Sequence, residues 1–220
     1  MQNPISIVLA THNQGKIREI RQLLKDTPVD IKSLGDFGPI PPVIEDGDTF
    51  EANAYKKASQ VARVLGLPAL ADDSGLVVDA LGGAPGVYSA RYGGDGLSDA
   101  ERCRKLLAEM TTQANRNAAF VCVISIAVPT GPALTFEARS EGVLTLAPHG
   151  ENGFGYDPVF FSPELGRTFA ELTAEEKGRV SHRGKALREV RNEIDKVLTW
   201  IRMHMPSPER FPCVGEAPCA

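Results

Sequence analysis

A short polar loop near the N-terminus carries residues suited to phosphate binding. The run Thr11-His12-Asn13-Gln14-Gly15-Lys16 follows an apolar, β-branched stretch and precedes apolar residues at helical spacing. Such a loop points backbone N–H groups and the positive end of a helix dipole outward, and Lys16 adds a mobile positive charge. It is not a Walker A loop, because Ala10 and Ile17 stand where that motif needs Gly and a hydroxyl residue. The loop predicts a phosphate site; the competing interpretation is a capped turn with a solvated lysine.

Four acidic residues, Glu45, Asp46, Asp72 and Asp73, are candidates for binding a metal ion. Asp72 and Asp73 adjoin each other between apolar runs, where a carboxylate is costly unless a cation or hydrogen bonds compensate. Mg²⁺ suits the set, because it takes few protein carboxylates, keeps several waters and accepts phosphate oxygens as ligands. The competing interpretation is a solvated Asp-Asp-Ser-Gly turn in which Asp and Ser cap the backbone.

An aromatic and basic set in the last third of the chain is suited to holding a nucleobase. It comprises Phe154-Gly155-Tyr156-Asp157, Lys177 and Ser181-His182-Arg183-Gly184. Phe beside Gly presents an open ring face for stacking, while Lys and Arg side chains act only as hydrogen-bond donors. The competing interpretation places Phe154 in the core, makes Asp157 the start of a turn before Pro158, and leaves the basic residues at a solvated helix start.

The hydrophobic pattern predicts the elements that position these residues. They are a strand at 5–10, a helix through 17–24, a loop at 32–42, a helix from Thr49 to Leu65, strands at 69–71 and 76–78 around an acidic turn, a helix from Ser98 to about Met110, a hairpin of strands 119–128 and 134–144, a strand at 158–162, a capping box at Thr173 and Glu176, and a last helix from Leu187 to Ile201. Asn53 and Lys57 lie one turn apart on the second helix.

The composition bounds the classes of function. The 220 residues include 24 Lys and Arg against 28 Asp and Glu, a formal charge of −4, and 42% are hydrophobic. The chain can bury a sizeable core, but it lacks the basic excess typical of proteins that bind DNA or RNA. It shows no membrane-spanning stretch and no leader pattern, so we expect a cytoplasmic protein without a membrane partner. The four cysteines include no Cys-x-x-Cys pair, which argues against structural zinc.

Six blocks of sequence, taken in order, resemble the inosine triphosphate pyrophosphatase family, the Ham1-type pyrophosphatases of non-standard purine nucleotides. The blocks are Thr11-x-Asn13-x-Gly15-Lys16, Glu45 ahead of Phe50-x-x-Asn53-Ala54, Ala71-Asp72-Asp73-Ser74-Gly75, Gly86-Val-Tyr-Ser-Ala-Arg91-Tyr92, Phe154-Gly155-Tyr156-Asp157-Pro158 and Ser181-His182-Arg183-Gly184. The resemblance covers about positions 5 to 202. Each block is short, so the resemblance rests on the occurrence of all six in the order found in the family.

The resemblance implies an α/β fold, with a mixed central β-sheet flanked by helices and two lobes around a deep cleft. It implies Mg²⁺-dependent hydrolysis of ITP, dITP and XTP to the monophosphate and pyrophosphate by a homodimer. By the same resemblance, Glu45 and Asp73 bind magnesium, and Asp73, Asp72 and Lys16 carry the catalytic chemistry. The residues expected to contact substrate are Thr11, His12, Asn13, Gln14, Gly15, Lys16, Asn53, Lys57, Ser74, Arg91, Phe154, Gly155, Tyr156, Asp157, Lys177, His182 and Arg183. His12 stands where some members carry Gly.

The sequence also bears on which base is accepted. A 6-oxo purine presents an acceptor that Arg183 or a backbone N–H can satisfy, whereas the amino group of adenine is a donor that would face donors. Guanine shares the 6-oxo group, so its exclusion depends on groups near C2, to which no residue is assigned. Two alternatives remain: a module that binds Mg²⁺ and nucleotide without cleaving it, and a pyrophosphatase of the same scaffold for another modified nucleotide.

The domain organisation is expected to be simple. We expect one two-lobed domain over residues 1–205, followed by a disordered tail over residues 206–220. Four of the fifteen tail residues are proline and the tail shows no apolar period.

Overall fold

A mixed seven-stranded β-sheet forms the centre of the protein. The computed structural model describes residues 4–206. The strands are β1 (Ile5–Leu9), β2 (Val29–Ser33), β3 (Ala69–Val78), β4 (Asn117–Ala127), β5 (Ala133–Leu144), β6 (Phe160–Ser162) and β7 (Arg167–Thr168), in the sheet order β2-β1-β3-β4-β5-β6-β7. β1 runs parallel to β2 and β3, and the other neighbouring strands are antiparallel. The expected α/β class with a mixed central sheet is confirmed.

Helices flank this sheet and begin at polar caps that the sequence supplies. They are α1 (Gln14–Leu23), α2 (Phe50–Leu65), α3 (Asp99–Glu109), α4 (Ala174–Val180), α5 (His182–Asn192) and α6 (Ile194–His204). Thr49 caps α2, and Ser98 with Glu101 forms a capping box on α3. Each cap satisfies N–H groups that the first helical turn leaves without partners, and so fixes where the helix starts. The caps thereby fix where α2 and α3 begin.

The two strands expected around an acidic turn are instead one continuous strand, β3. Its ladder with β4 runs unbroken through Asp72, opposite Ile124, and Asp73, opposite Val123. The prediction of a turn was wrong because cations distant in sequence neutralise both carboxylates, which removes the cost that argued against a buried strand. At Gly75 a Cβ atom would lie 2.4 Å from the carbonyl oxygen of Gly86, so only glycine lets the following loop approach the strand.

Three other predictions about the elements were wrong. The strand expected at 158–162 begins only at Phe160, because Asp157–Val159 form a 3-10 helix. The single last helix is two helices, α5 and α6, interrupted at Glu193 (φ −98°, ψ 12°). The expected loop at 32–42 begins two residues too early, since Lys32 and Ser33 belong to β2, a strand that was not predicted. Every residue of β2 is only half-buried, which weakens the alternation that identifies a strand in sequence.

Apolar clusters cover both faces of the sheet. The largest packs β1, β3 and β4 against α1, α5 and α6, and includes Leu9, Ile124 and Leu187. A second lies on the opposite face under α2, and a third joins α3 and α4 to the far end of β3 and β4. Within residues 4–206, no helix is both long enough and apolar enough to span a membrane. The tail expected over 206–220 lies, apart from Pro206, outside the described residues.

Candidate active site

A cavity of about 390 Å³ lies between the start of α1, the middle of β3 and the loop that precedes β6. The sequence-predicted substrate residues that line it are Asn13, Gln14, Gly15, Lys16, Ser74, Phe154, Gly155, Tyr156, Asp157, Lys177, His182 and Arg183. Two of the three candidate chemical sets, the phosphate loop and the aromatic and basic set, therefore meet in one cavity. The cavity is the candidate active site.

The loop that precedes α1 forms one wall of this cavity. The side chain of Asn13 caps the helix by accepting a hydrogen bond from the backbone N–H of Lys16 at 3.1 Å. A Cβ atom at Gly15 would lie 2.6 Å from Cδ1 of Phe154, so the phenyl ring rests against the loop backbone. Glycine at this position thus lets the predicted phosphate loop touch the predicted base-binding ring.

Asp72 is the buried anion that joins the phosphate loop to α5. Its carboxylate forms ion pairs with Lys16 and with Arg183, whose Nε lies 3.1 Å from Oδ2. The thiol of Cys122 donates to Oδ2 at 2.9 Å. Burial opposes ionisation of Asp72, but Arg183 and Lys16 outweigh it and hold its pKa well below the usual 3.8. Asp72 therefore stays ionised and keeps both cations at the cavity wall.

Asp73 points to the opposite face of β3 and meets a different cation. Side chains alternate along a strand, so Asp72 faces α5 while Asp73 faces α2. Lys57 Nζ, on α2, donates to Asp73 Oδ1 at 2.6 Å and to Glu45 Oε2 at 3.2 Å. Burial raises the pKa of Asp73, although Lys57 opposes this shift. The carboxylates of Glu45 and Asp73 thus both contact one lysine nitrogen, and neither residue is among those that line the cavity.

The chemistry of Glu45 and Asp73 fits a hard divalent cation. Both offer carboxylate oxygens, the ligands that Mg²⁺ prefers. Within residues 4–206, no three His, Cys, Asp or Glu side chains gather closely enough to hold a metal by themselves. A cation here would therefore need oxygen ligands from water or from a bound phosphate, which is the usual pattern for Mg²⁺ and unlike an all-protein cage.

Phe154 and its charged neighbours form the part of the cavity that we call the base end, which comprises Phe154, Asp157, Lys177, His182 and Arg183. Lys177 Nζ lies 4.6 Å and Arg183 Cζ 5.6 Å from the centre of the Phe154 ring. Lys177 Nζ also donates to Asp157 Oδ2 at 2.6 Å. Burial raises the pKa of Asp157, although Lys177 acts against it. The base end offers an aromatic face beside fixed donors.

Most of the donors of Arg183 are already occupied. Its Nε and Nη2 donate to the two oxygens of Asp72, Nη2 also donates to Ser74 Oγ at 2.8 Å, and Nη1 donates to Glu19. Four of the five N–H groups of the guanidinium therefore have protein partners. One N–H, on Nη1, remains for a ligand.

His182 belongs to the base end and is a neutral ring. It stacks on Phe120 with ring centres 4.6 Å apart and an angle of 11° between the planes. Burial, reinforced by the positive charge of Arg183, holds its pKa well below the usual 6.5. Its Nδ1 is buried and has no hydrogen-bond partner in the part of the chain that the structure describes. A neutral imidazole can accept as well as donate, which a protonated one cannot.

Comparisons with known proteins show the family of this chain. The model of the Ham1 family matches residues 7–193. The chain belongs to the Ham1 family. It is 56% identical to a dITP/XTP pyrophosphatase of Syntrophobacter fumaroxidans, over 97% of this chain and 92% of that protein. It is also 56% identical to one of Desulfotalea psychrophila, over 90% of this chain and 89% of that protein. The structure of a Ham1 protein from Coxiella burnetii matches with a TM-score of 0.80 and 42% identity, covering 89% of this chain and 99% of that one.

Several residues predicted to contact substrate lie outside the cavity lining of this Ham1 protein. They are Thr11, His12, Asn53, Lys57 and Arg91. The side chain of Asn53 accepts from Gly47 N at 2.9 Å and donates to Gly47 O at 3.2 Å, so it holds the loop that carries Glu45. Arg91 Nη2 donates to the carbonyl oxygen of Glu45 at 3.2 Å. In the structure, Asn53 and Arg91 support the Glu45 loop.

Three further residues in or beside this cavity were not predicted from the sequence. Glu19 pairs with both Lys177 and Arg183, and Asp99 and Arg102 line the cavity from the first turn of α3. Glu19 lies three residues after Lys16, on the same helical face, which is a signal that could have identified it. Asp99 and Arg102 form an ion pair across the same spacing and are typical in sequence of a solvated helix start.

Proposed function

We propose that this chain is a Mg²⁺-dependent pyrophosphatase that hydrolyses dITP, ITP and XTP to the monophosphate and pyrophosphate. The observation that carries the proposal is the single cavity in which the phosphate loop and the base end meet, in a Ham1 chain 56% identical to proteins named dITP/XTP pyrophosphatase. One buried anion, Asp72, links the phosphate loop to the base end, because it pairs with Lys16 of the loop and with Arg183 of the base end.

Lys16 and the start of α1 bind the triphosphate in this proposal. Backbone N–H groups at a helix start and a lysine are a common arrangement for phosphate oxygens. Asp72 acts through the cations: it holds Lys16 towards the cavity and orients Arg183. Ionised Asp72 therefore organises charge for the reaction without itself needing to reach substrate.

Asp73 accepts the proton of the attacking water. A carboxyl group whose pKa is raised by burial is a stronger base than an exposed one. Lys57 fixes the direction of Asp73 through its 2.6 Å contact with Oδ1. A divalent cation bound by Glu45 and Asp73 would neutralise charge on the phosphate oxygens.

The base end selects the purine. Phe154 stacks on the ring, while the free N–H of Arg183 and the third N–H of Lys177 offer donors to the 6-oxo group. Adenine would place its amino group against these donors and leave both sides without acceptors, which a buried site penalises strongly.

The proposal extends to the molecule as a whole. Residues 1–205 form one domain, the protein acts in the cytoplasm on the nucleotide pool, and it functions as a homodimer. Its partner is a small nucleotide, and nucleic acid and membrane take no part.

A panel of triphosphates tests the proposed function. The purified protein is incubated with Mg²⁺ and ITP, dITP, XTP, GTP, ATP, UTP or CTP, and pyrophosphate and orthophosphate are measured separately. We expect pyrophosphate from the first three substrates. Orthophosphate as the first product would refute the cleavage position, and binding without either product would favour a non-catalytic nucleotide-binding module.

A control on the metal completes this test. The same reactions with EDTA, and with Mg²⁺ restored, are expected to lose and regain turnover. Pyrophosphate release that persists in EDTA would remove the metal from the proposal. Preferred cleavage of a pyrimidine nucleotide would favour the alternative of another substrate on the same scaffold.

A further inference from the structure

Arg102 lines the active-site cavity but has no role in the function proposed above. It lies in the first turn of α3, its side chain is only 16% exposed, and its Nη2 donates to Asp99 Oδ1 at 2.8 Å. Oδ2 of Asp99 accepts from the backbone N–H of Gly155 at 2.7 Å. Asp99 therefore ties the guanidinium to the loop that presents Phe154, at the base end of the cavity.

The donors of Arg102 are mostly unused, in contrast with those of Arg183 and Lys177, the two cations of the base end. Arg183 uses four of five N–H groups and Lys177 two of three. Within residues 4–206, Arg102 makes only the side-chain hydrogen bond to Asp99. None of its side-chain nitrogens is both buried and without a hydrogen-bond partner, so the remaining N–H groups reach the cavity or solvent. Arg102 is the least saturated of these three donors.

The chemistry that suits these donors is a second acceptor on the base. Hypoxanthine (the base of ITP), xanthine and guanine all carry oxygen at C6, and they differ at C2, where xanthine has an oxygen, hypoxanthine a hydrogen and guanine an amino group. A guanidinium donates to the oxygen, gains nothing from the hydrogen and opposes the amino group. Each oxygen of Asp99 accepts one hydrogen bond, from Arg102 or from Gly155, and these two bonds fix the orientation of the carboxylate beside the guanidinium.

We propose that Arg102 is a specificity-determining residue that donates to the C2 oxygen of xanthine and disfavours the C2 amino group of guanine. This inference rests on the proposed function and deepens it. Lys177 and Arg183 serve the C6 oxygen, which all three bases share, and Arg102 distinguishes among them at C2. The group that excludes guanine, which the sequence argument leaves unassigned, is then the guanidinium of Arg102.

The test compares kcat/KM for XTP, ITP and GTP in Arg102→Ala, Arg102→Lys and the unaltered protein. In Arg102→Ala we expect the XTP to ITP ratio to fall about tenfold, the scale of one hydrogen bond to a charged group, and the GTP to ITP ratio to rise. Arg102→Lys keeps the positive charge and loses the planar set of guanidinium donors, so both of its ratios should lie between those of Arg102→Ala and the unaltered protein. The matched control is Arg104→Ala, an exposed arginine of the same helix outside the cavity lining, which should leave both ratios unchanged.

The outcomes separate this inference from the proposed function. Unchanged ratios in both Arg102 variants, with ITP turnover retained, would overturn the role of Arg102 and leave the pyrophosphatase standing. An equal loss for all three triphosphates would show a merely structural role and likewise overturn it. If Arg102→Ala does not fold, as judged by circular dichroism, the ratios in Arg102→Lys decide alone. No pyrophosphate from any purine triphosphate in the unaltered protein would overturn the proposed function itself.

Discussion

The two faces of β3 place neighbouring aspartates in different electrostatic surroundings. Asp72 is 1% exposed, and Lys16 and Arg183 hold its pKa low despite burial. Asp73 is 7% exposed, and burial raises its pKa although Lys57 lies 2.6 Å away. One strand thus presents a carboxyl group with a lowered pKa to one face and a carboxyl group with a raised pKa to the other.

This difference shows how a single strand can divide structural and chemical work. On the face of Asp72, the ion pairs are buried and share partners. Loss of one partner therefore leaves an uncompensated charge in the interior. On the face of Asp73, Lys57 is shared with Glu45, so the contact can be exchanged when a cation or substrate arrives. We therefore expect changes on the first face to cost stability and changes on the second to cost turnover.

Replacing Asp73 gives the largest expected effect on activity. Asp73→Asn should retain nucleotide binding and lose turnover by about 10³-fold, because a positioned general base contributes on that scale. Single-turnover pyrophosphate release and equilibrium binding of ITP measure the two quantities. Asp79→Asn, an exposed carboxylate just beyond the same strand, is the matched control. Turnover within about threefold of the unaltered protein would remove Asp73 from the mechanism.

Replacing Asp72 should affect stability instead. Asp72→Asn leaves Lys16 and Arg183 without their shared anion and should lower the free energy of unfolding by about 3 kcal/mol. Asp73→Asn should cost less, because Glu45 still pairs with Lys57. Urea unfolding of both variants checks the order. Equal losses would break the distinction between the faces.

The aromatic ring on the Asp72 side provides a smaller effect. Phe154→Ala should raise KM for ITP about tenfold with little change in kcat, because base stacking on an aromatic ring is worth about 1–3 kcal/mol. Phe154→Tyr keeps the ring and is the control. A fall in kcat with unchanged KM would place the ring in the chemistry and not in base binding.

The sequence predicted the residues of the cavity better than it predicted their directions. The blocks around Lys16, Phe154 and Arg183 were identified because Gly, aromatic and basic residues in short runs carry their chemistry locally. The opposite directions of Asp72 and Asp73 were not, because they depend on an unbroken ladder with β4 and on cations from α1, α2 and α5. Glu19 and Arg102 were missed for the same reason: each looks like a surface helix charge until distant segments pack around it.

The pH dependence of stability should have opposite signs for the two aspartates, and this is the smallest effect. Asp72 has a pKa below 3.8 in the folded state. Its ionised form therefore stabilises the fold above about pH 3.8, and this stabilisation is lost as the pH falls through the folded-state pKa. Asp73 has a folded pKa above 3.8, so the folded state loses stability as pH rises from 3.8 through that value. Each slope is at most about 1.4 kcal/mol per pH unit.

Unfolding in metal-free buffer isolates these two slopes. Each variant has a deficit in the free energy of unfolding relative to the unaltered protein. The deficit of Asp72→Asn should shrink as the pH is lowered below 3.8, while that of Asp73→Asn should grow as the pH is lowered towards 3.8. Chelation of metal is essential, because a cation bound to Asp73 would favour its ionised form and mask the second slope. Two deficits that change in the same direction would show that the neighbouring carboxyl groups titrate as one coupled pair, and would remove the electrostatic distinction between the faces of β3.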